Sequence, residues 1–339
     1  MKTTKGILIL IGMALYIQGY CQSELPKYAS SATAVMKDVK LDMPLEGRKY
    51  KNGTGYSLNT SLLKEMPKKV ALVSFYSFDP GMTTVKRWTT SNTLYKTTHT
   101  KTTKVNAVGS SGELALGYFL QSIEELIGKF KEYNMELLLP EEYLDTDEKL
   151  EFYKNYEVER GKLSEWIDKI GSSGHDAIYG YVDGYNIVDI VNEPYGNYSA
   201  SGGMFVTRKG EVADNQVWVM DKCGKEVESL GENLCEKLGV DAVVVVYFTI
   251  YSPNVKSVIL QNVNMLMFGP NPTALAEGKN EKFNFFNGQF YCGTRVNPEV
   301  TVWKPDKKDP STEDLDFTGF ENIMVALATK MGDYLKGKD

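Results

Sequence analysis

Hydrophobic and polar positions along the chain fall into blocks of two periods. Lys69 to Phe78 (KVALVSFYSF) is an unbroken apolar, β-rich run closed by Asp79-Pro80-Gly81, the pattern of a strand buried on both faces and ended by a turn. Ser110-Ser111-Gly112-Glu113 has the form of a capping box. Leu116, Leu120, Ile123, Leu126, Ile127 and Phe130 follow it at helical spacing, so a long amphipathic helix begins there. Met135 to Leu139 reads as a short strand stopped by Pro140. A second helix is predicted over about Leu163 to Ile170, before a strand over His175 to Val182. The stripe Cys223, Val227, Leu230, Leu234, Leu238 predicts a helix over Lys222 to Leu238, capped by Gly239. Val240 to Phe248 is the most hydrophobic strand, turned at Ser252-Pro253-Asn254 into a partner over Val258 to Phe268. Short strands are expected near Phe283 to Phe286, Gln289 to Cys292 and Val300 to Trp303. A last helix runs from Phe317 to Leu335, with Phe320, Ile323, Met324, Leu327 and Met331 on one face. This order implies an α+β or α/β fold with a mixed sheet flanked by helices.

Two stretches depart from that pattern. Residues 82–105 are dense in Thr and carry Lys86, Arg87, Lys96, Lys101 and Lys104 without one acid. β-Branched Thr, with Trp88 and Tyr95 among them, suits a protruding two-stranded hairpin turning near Ser91-Asn92. Its lysines discourage edge-to-edge aggregation, and they also make a basic arm able to engage an acidic surface. His99 in this arm has no partner motif and reads as a surface residue. Residues 22–66 are polar, hold Pro26, Pro44 and Lys51-Asn52-Gly53-Thr54-Gly55, and show no sustained period, so they read as an extension or strap. The organisation expected is a leader at 1–21, the strap at 22–66, and one α/β domain at 67–339 with the hairpin inserted at 82–105.

The leader reading rests on Lys2 and Lys5, then the apolar stretch Ile7 to Ile17, which is too short to span a bilayer. Gly19 and Cys21 stand where a cut before Gln22 needs small residues. A lipid anchor on Cys21 is the rival, although Gln18 and Tyr20 do not fit its motif. Export would place the chain in the periplasm, cell envelope or extracellular space, with no integral membrane span after cleavage. There an odd set, Cys223, Cys235 and Cys292, would remain. Cys223 and Cys235, about 18 Å apart on one helix, cannot bridge each other, while a bond from either to Cys292 is open.

A net charge of −6, from 38 basic and 44 acidic residues, excludes bulk-charge coating of nucleic acid. The acids concentrate between Glu132 and Glu159, a solvated helical face that could also receive the basic arm of a neighbouring copy. Two His and four Cys leave little for a zinc site or a Ser-His centre, and no cofactor or metal site is expected. Phosphate-loop, dinucleotide, HExxH and GxSxG motifs are absent. Trp166, Trp218 and Trp303 read as core or strand anchors.

Leu238, Gly239, Asp241, Ala242 and Val243 to Val246, behind the strand and long helix, resemble a bacterial envelope α/β domain. That domain is shared by the amino-terminal region of the translocation protein TolB, the curli secretion protein CsgG and periplasmic lipoprotein activators of cell-wall synthesis. The resemblance implies an exported, non-catalytic binding or assembly domain. Its partner would be another envelope protein or a second copy, met through Lys86, Arg87, Trp88, Tyr95, Lys96, Lys101 and Lys104. One motif points elsewhere: Asn192-Glu193-Pro194 resembles the acid/base segment of clan-A glycoside hydrolases. In that family the Glu193 position is the general acid/base at a barrel strand's end and the Asn192 position holds the sugar 2-hydroxyl. Glu277, Glu281 and Glu299 are the positions available for the second carboxylate, and a (β/α)8 barrel would be needed to hold the pair.

Overall fold

The computed structural model describes residues 23–42, 66–79, 82–91, 96–105, 111–156, 178–187, 230–254, 257–270, 290–304 and 315–337. Before the first long strand the chain forms α1 (Leu25–Tyr28), α2 (Ala32–Met36) and β1 (Lys40–Asp42). Then come β2 (Lys69–Asp79), β3 (Met82–Ser91), β4 (Lys96–Val105), α3 (Ser111–Glu132) and β5 (Glu136–Leu138). They are followed by α4 (Pro140–Tyr143), α5 (Asp147–Lys154), β6 (Ile178–Tyr181), α6 (Leu230–Leu238) and β7 (Ala242–Asn254). The chain finishes with β8 (Ser257–Phe268), β9 (Phe290–Val296), β10 (Val300–Trp303) and α7 (Phe320–Leu335).

Eight of the strands make one mixed sheet in the order β1-β9-β8-β7-β2-β5, with β10 added on β8 and β6 on β2. β2 pairs parallel with β5 and β7, and the other pairings are antiparallel. α3, α7, α1 and α2 pack on one face, where Phe75, Tyr118, Phe248, Phe320 and Leu327 are buried together. The opposite face packs against α4, α5 and α6 through Tyr143, Tyr153, Leu234, Cys235 and Leu238. The predicted α+β architecture, a mixed sheet with helices on both faces, is therefore the one found. Among the described residues no helix is long and apolar enough to cross a membrane.

β2 explains much of this arrangement. Val70 to Asp79 is buried throughout, as a strand covered on both faces requires. A bulge at Val73 shifts its register with β7: Leu72 lies opposite Val244 and Ser74 opposite Val245. The extra residue resets the alternation, so Phe75 faces Phe119, Phe248 and Phe320, while Tyr76 stacks on Tyr247 at 5.6 Å on the other face. Between its pairing with β5 and with β6, the β2 edge is closed by side chains. Tyr143 donates to the Leu72 carbonyl at 3.1 Å, Tyr153 to the Val73 carbonyl at 2.6 Å, and Ser74 Oγ to the Asn186 carbonyl at 2.8 Å.

The helix end, glycine and "DA" strand start near 240 have a physical purpose. Gly239 takes φ 73°, which lets both its own N–H and that of Val240 donate to the Cys235 carbonyl. Asp241 then accepts from the backbone N–H groups of Lys68 and Lys69 at 2.9 and 2.8 Å, aligning the starts of β2 and β7.

Several boundaries differ from the sequence pattern. β7 continues through Ser252-Pro253-Asn254 with a register shift there, and the reversal comes after Asn254. Pro253 fits because a bulge tolerates a residue with no N–H to give. α7 begins at Phe320, and α6 is described from Leu230 onward. In α3 the buried positions are Ser111, Leu114, Ala115, Tyr118, Ser122, Leu126 and Phe130. Leu116 and Leu120, expected on the core face, are exposed. The helix is apolar around more than one stripe, and α7 together with the sheet takes the Tyr118 side. The segment before β2 is stitched in: β1 is the edge strand on β9, Glu24 N–H donates to the Thr301 carbonyl, and Asn322 donates to the Ala29 carbonyl. Cys235 and Cys292 are both free and buried, on opposite faces of the sheet, so the bond left open between them does not form. Cys223 lies outside the described residues, as do the helix expected at Leu163 to Ile170, Trp166 and Trp218. Trp303 is buried in β10.

Candidate functional site

In an open α/β sheet the natural place for a site is the crevice at the carboxyl ends of parallel strands where the winding reverses. Here that point lies between β2 and β7. α3 carries the chain from β2 to β5 across one face; α5 and α6 belong to the return across the other face to β7, on the far side of β2.

Ser77, Asp79, Ser111, Thr249 and Ser252 are all buried there. Ser77 Oγ donates to the Ser111 carbonyl at 3.0 Å and accepts the Gly180 N–H at 3.1 Å, tying together β2, the start of α3 and β6. A Cβ at Gly180 would overlap the backbone of Ser111, so glycine is what lets β6 close over the helix start.

What leaves the crevice is the hairpin. Three residues after Asp79, β3 begins, and it pairs with β4 in unbroken antiparallel register from Met82 opposite Val105 to Ser91 opposite Lys96. The two strands form a separate two-stranded sheet that meets the main sheet at β7. Ten residues a strand make a ribbon about 30 Å long. The register sets Lys86 opposite Lys101, Trp88 opposite His99, Arg87 opposite Thr100 and Thr83 opposite Lys104. The hairpin thus gathers Lys86, Arg87, Trp88, Lys96, Lys101 and Lys104, predicted from sequence, onto one ribbon. Tyr95 lies outside the described residues.

A second polar constellation was not anticipated. Successive register pairs form one row across the whole sheet: Lys40, Arg295, Asn264, Tyr247, Tyr76 and Tyr181. Facing residues in a ladder share a side, so the row lies on the face away from α3. Lys40 and Tyr181 at its ends are exposed, and the four between are buried. Beside it Phe78, Thr249 and Asn262 make a second row, and Asn264 donates to Asn262 Oδ1 at 2.6 Å. Cations, amides and phenols suit the holding of anionic or hydrogen-bonding groups. The row contains no carboxylate, thiol or imidazole for proton transfer. The signal for it stands in Gln261-Asn262-Val263-Asn264, where polar residues alternate inside an otherwise apolar strand.

Burial holds several tyrosines and both described thiols in their neutral forms. Burial pushes Tyr143 and Tyr153 above the ordinary phenol value, with Tyr153 opposed by its own hydrogen bonds, and pushes Tyr185 up beside Glu141 and Glu142. Burial likewise raises the Cys235 and Cys292 thiols. Among the described residues no group of three or more His, Cys, Asp or Glu could hold a metal ion.

Asn192, Glu193, Glu277 and Glu281 lie outside the described residues. Glu299 sits exposed in the turn between β9 and β10, with φ 50°. The described strands form an open, mixed sheet in which the parallel pairings are β2 with β5 and β2 with β7, unlike the parallel ring the hydrolase motif requires. Comparison of the chain with family models, curated proteins and solved structures returns no match.

Proposed function

We infer that this is an exported, non-catalytic protein of the cell envelope that works by protein contact or assembly, with the Thr-rich hairpin as its contact element. One observation carries the reading: from the carboxyl end of β2, beside the point where α/β folds ordinarily hold a ligand, the chain sends out a long basic ribbon. A ribbon with five cations and no acid offers an acidic protein surface charge and β-branched contact.

The leader-like Met1 to Cys21 and the resemblance of Leu238 to Val246 to envelope domains support the location. The partner is another envelope protein or a second copy, and Trp88 and Tyr95 are the aromatic anchors, the residue types that dominate interface energetics. Replacing Lys86, Arg87, Lys96, Lys101 and Lys104 with Ser should abolish capture of the partner by the immobilised full chain at moderate salt. Capture that is unchanged, or that does not weaken as salt rises, refutes the reading.

A further inference from the structure

α3 presents two apolar stripes, and the fold uses one. Its core side packs through Leu114, Tyr118 and Leu126, and α7 covers it from Gly117 to Gln121: Tyr118 stacks on Phe320 at 4.0 Å and Gln121 donates to Glu321 at 3.1 Å. The other stripe, Leu116, Leu120, Ile123 and Ile127, follows the 4-3-4 spacing of a single helical face. Leu116 and Leu120 are 46% and 64% exposed, and Ile123 and Ile127 are only partly buried. Leu116 and Leu120, left in water on one turn beside Ile123 and Ile127 that pack only in part on the core, mark a contact surface.

The geometry points to a second copy of this chain as the occupant, docked α3 against α3 in antiparallel, two-fold symmetry. The spacing is a mirror of itself about the midpoint between Leu120 and Ile123. A two-fold axis there sets Leu116 level with Ile127 of the second copy, and Leu120 level with its Ile123. The charges agree with the same axis. Glu113 in the first turn and Lys131 in the last are both exposed and lie on the same side of the stripe. The antiparallel pairing brings each Glu113 within about 1.5 Å, one residue of rise, of the level of the other copy's Lys131. Parallel pairing would oppose Glu113 to Glu113. Antiparallel macrodipoles favour the same arrangement. Because α3 starts at the root of the hairpin, the pair would display two hairpins with their roots about 30 Å apart along the helices.

Sedimentation velocity of the full chain over a concentration series tests this. The wild-type chain is expected to show a monomer–dimer equilibrium. Leu120→Asp should weaken it at least tenfold while leaving the melting temperature of the dilute monomer unchanged, because that side chain is exposed within one copy. Glu113→Lys should weaken it as well, and Glu113→Lys combined with Lys131→Glu should restore it. A chain that stays monomeric to the highest attainable concentration overturns the proposal, as does a dimer indifferent to Leu120→Asp, or a charge swap that fails to restore association. A dimer lost instead in the five-Ser hairpin variant assigns self-association to the hairpin and overturns the α3 interface alone.

Discussion

Removing one oxygen atom from either of two buried tyrosines should have opposite effects on stability. The Tyr153 hydroxyl donates to the Val73 carbonyl at 2.6 Å and accepts the Asn186 N–H at 2.8 Å. Val73 is the bulge residue, so its carbonyl has this phenol where a regular ladder would supply a strand. Tyr153→Phe leaves both backbone groups without that partner, one fully buried and one half-buried. At about 1–3 kcal/mol for a buried group stripped of its partner, the expected loss is about 2–4 kcal/mol. The Tyr118 hydroxyl is equally buried and has no hydrogen-bond partner among the described residues. Tyr118→Phe therefore removes an uncompensated polar atom while keeping the ring stacked on Phe320. It should leave stability unchanged or raise it by about 1 kcal/mol. Urea unfolding of both variants beside the wild-type chain, with equal m-values, reads these differences directly. A Tyr153→Phe chain within about 0.5 kcal/mol of wild type, or a Tyr118→Phe chain destabilised by more than about 1 kcal/mol, would refute the hydrogen-bond assignment on which the reasoning rests.

Other expectations follow from the same contacts. Burial raises the phenols of Tyr118, Tyr143, Tyr153, Tyr185 and Tyr291 above the ordinary value of 10.0. The unfolded chain then loses these protons first, so stability is intact below about pH 10 and falls as pH rises through the alkaline range. Phenolate absorbance should appear together with loss of circular dichroism; ionisation of all tyrosines in a still-folded chain would contradict this. Gly180→Ala places a methyl group on the Ser111 backbone and should cost about 1–3 kcal/mol, with faster hydrogen exchange at the start of α3. An unchanged exchange pattern would show that β6 does not hold the start of α3. Cys235 and Cys292 are buried with raised thiol pKa values, and peptide mapping after native alkylation should find both unmodified until denaturant is added. Glu24 is held below the usual carboxylate range by the Thr301 N–H, which donates to its Oε2 at 3.0 Å. This tie is present above the ordinary value of 4.5 and is lost as pH falls below it, so acid should release protease sites before β1 ahead of global unfolding.

The sequence by itself determined the elements that local patterning encodes. The run from Lys69 to Phe78 specified a doubly buried strand, the Ser110 capping box specified where α3 begins, and the Thr-rich ribbon with its turn near Ser91-Asn92 specified a hairpin. Each signal lies within a few residues, where periodicity, caps and turn chemistry act. Tertiary structure decided which of two apolar stripes on α3 the core consumes, because that depends on where α7 lands, and α7 follows about 190 residues later. It also decided the transverse row from Lys40 to Tyr181, whose six members come from six strands and adjoin only through register. A register is set by long-range pairing and by bulges such as the one at Val73, and neither leaves a periodic mark in any one segment. The tie between β2, β6 and the start of α3 is of the same kind: Ser77, Ser111 and Gly180 have no distinctive local signal until the fold sets a hydroxyl, a carbonyl and a missing side chain against one another.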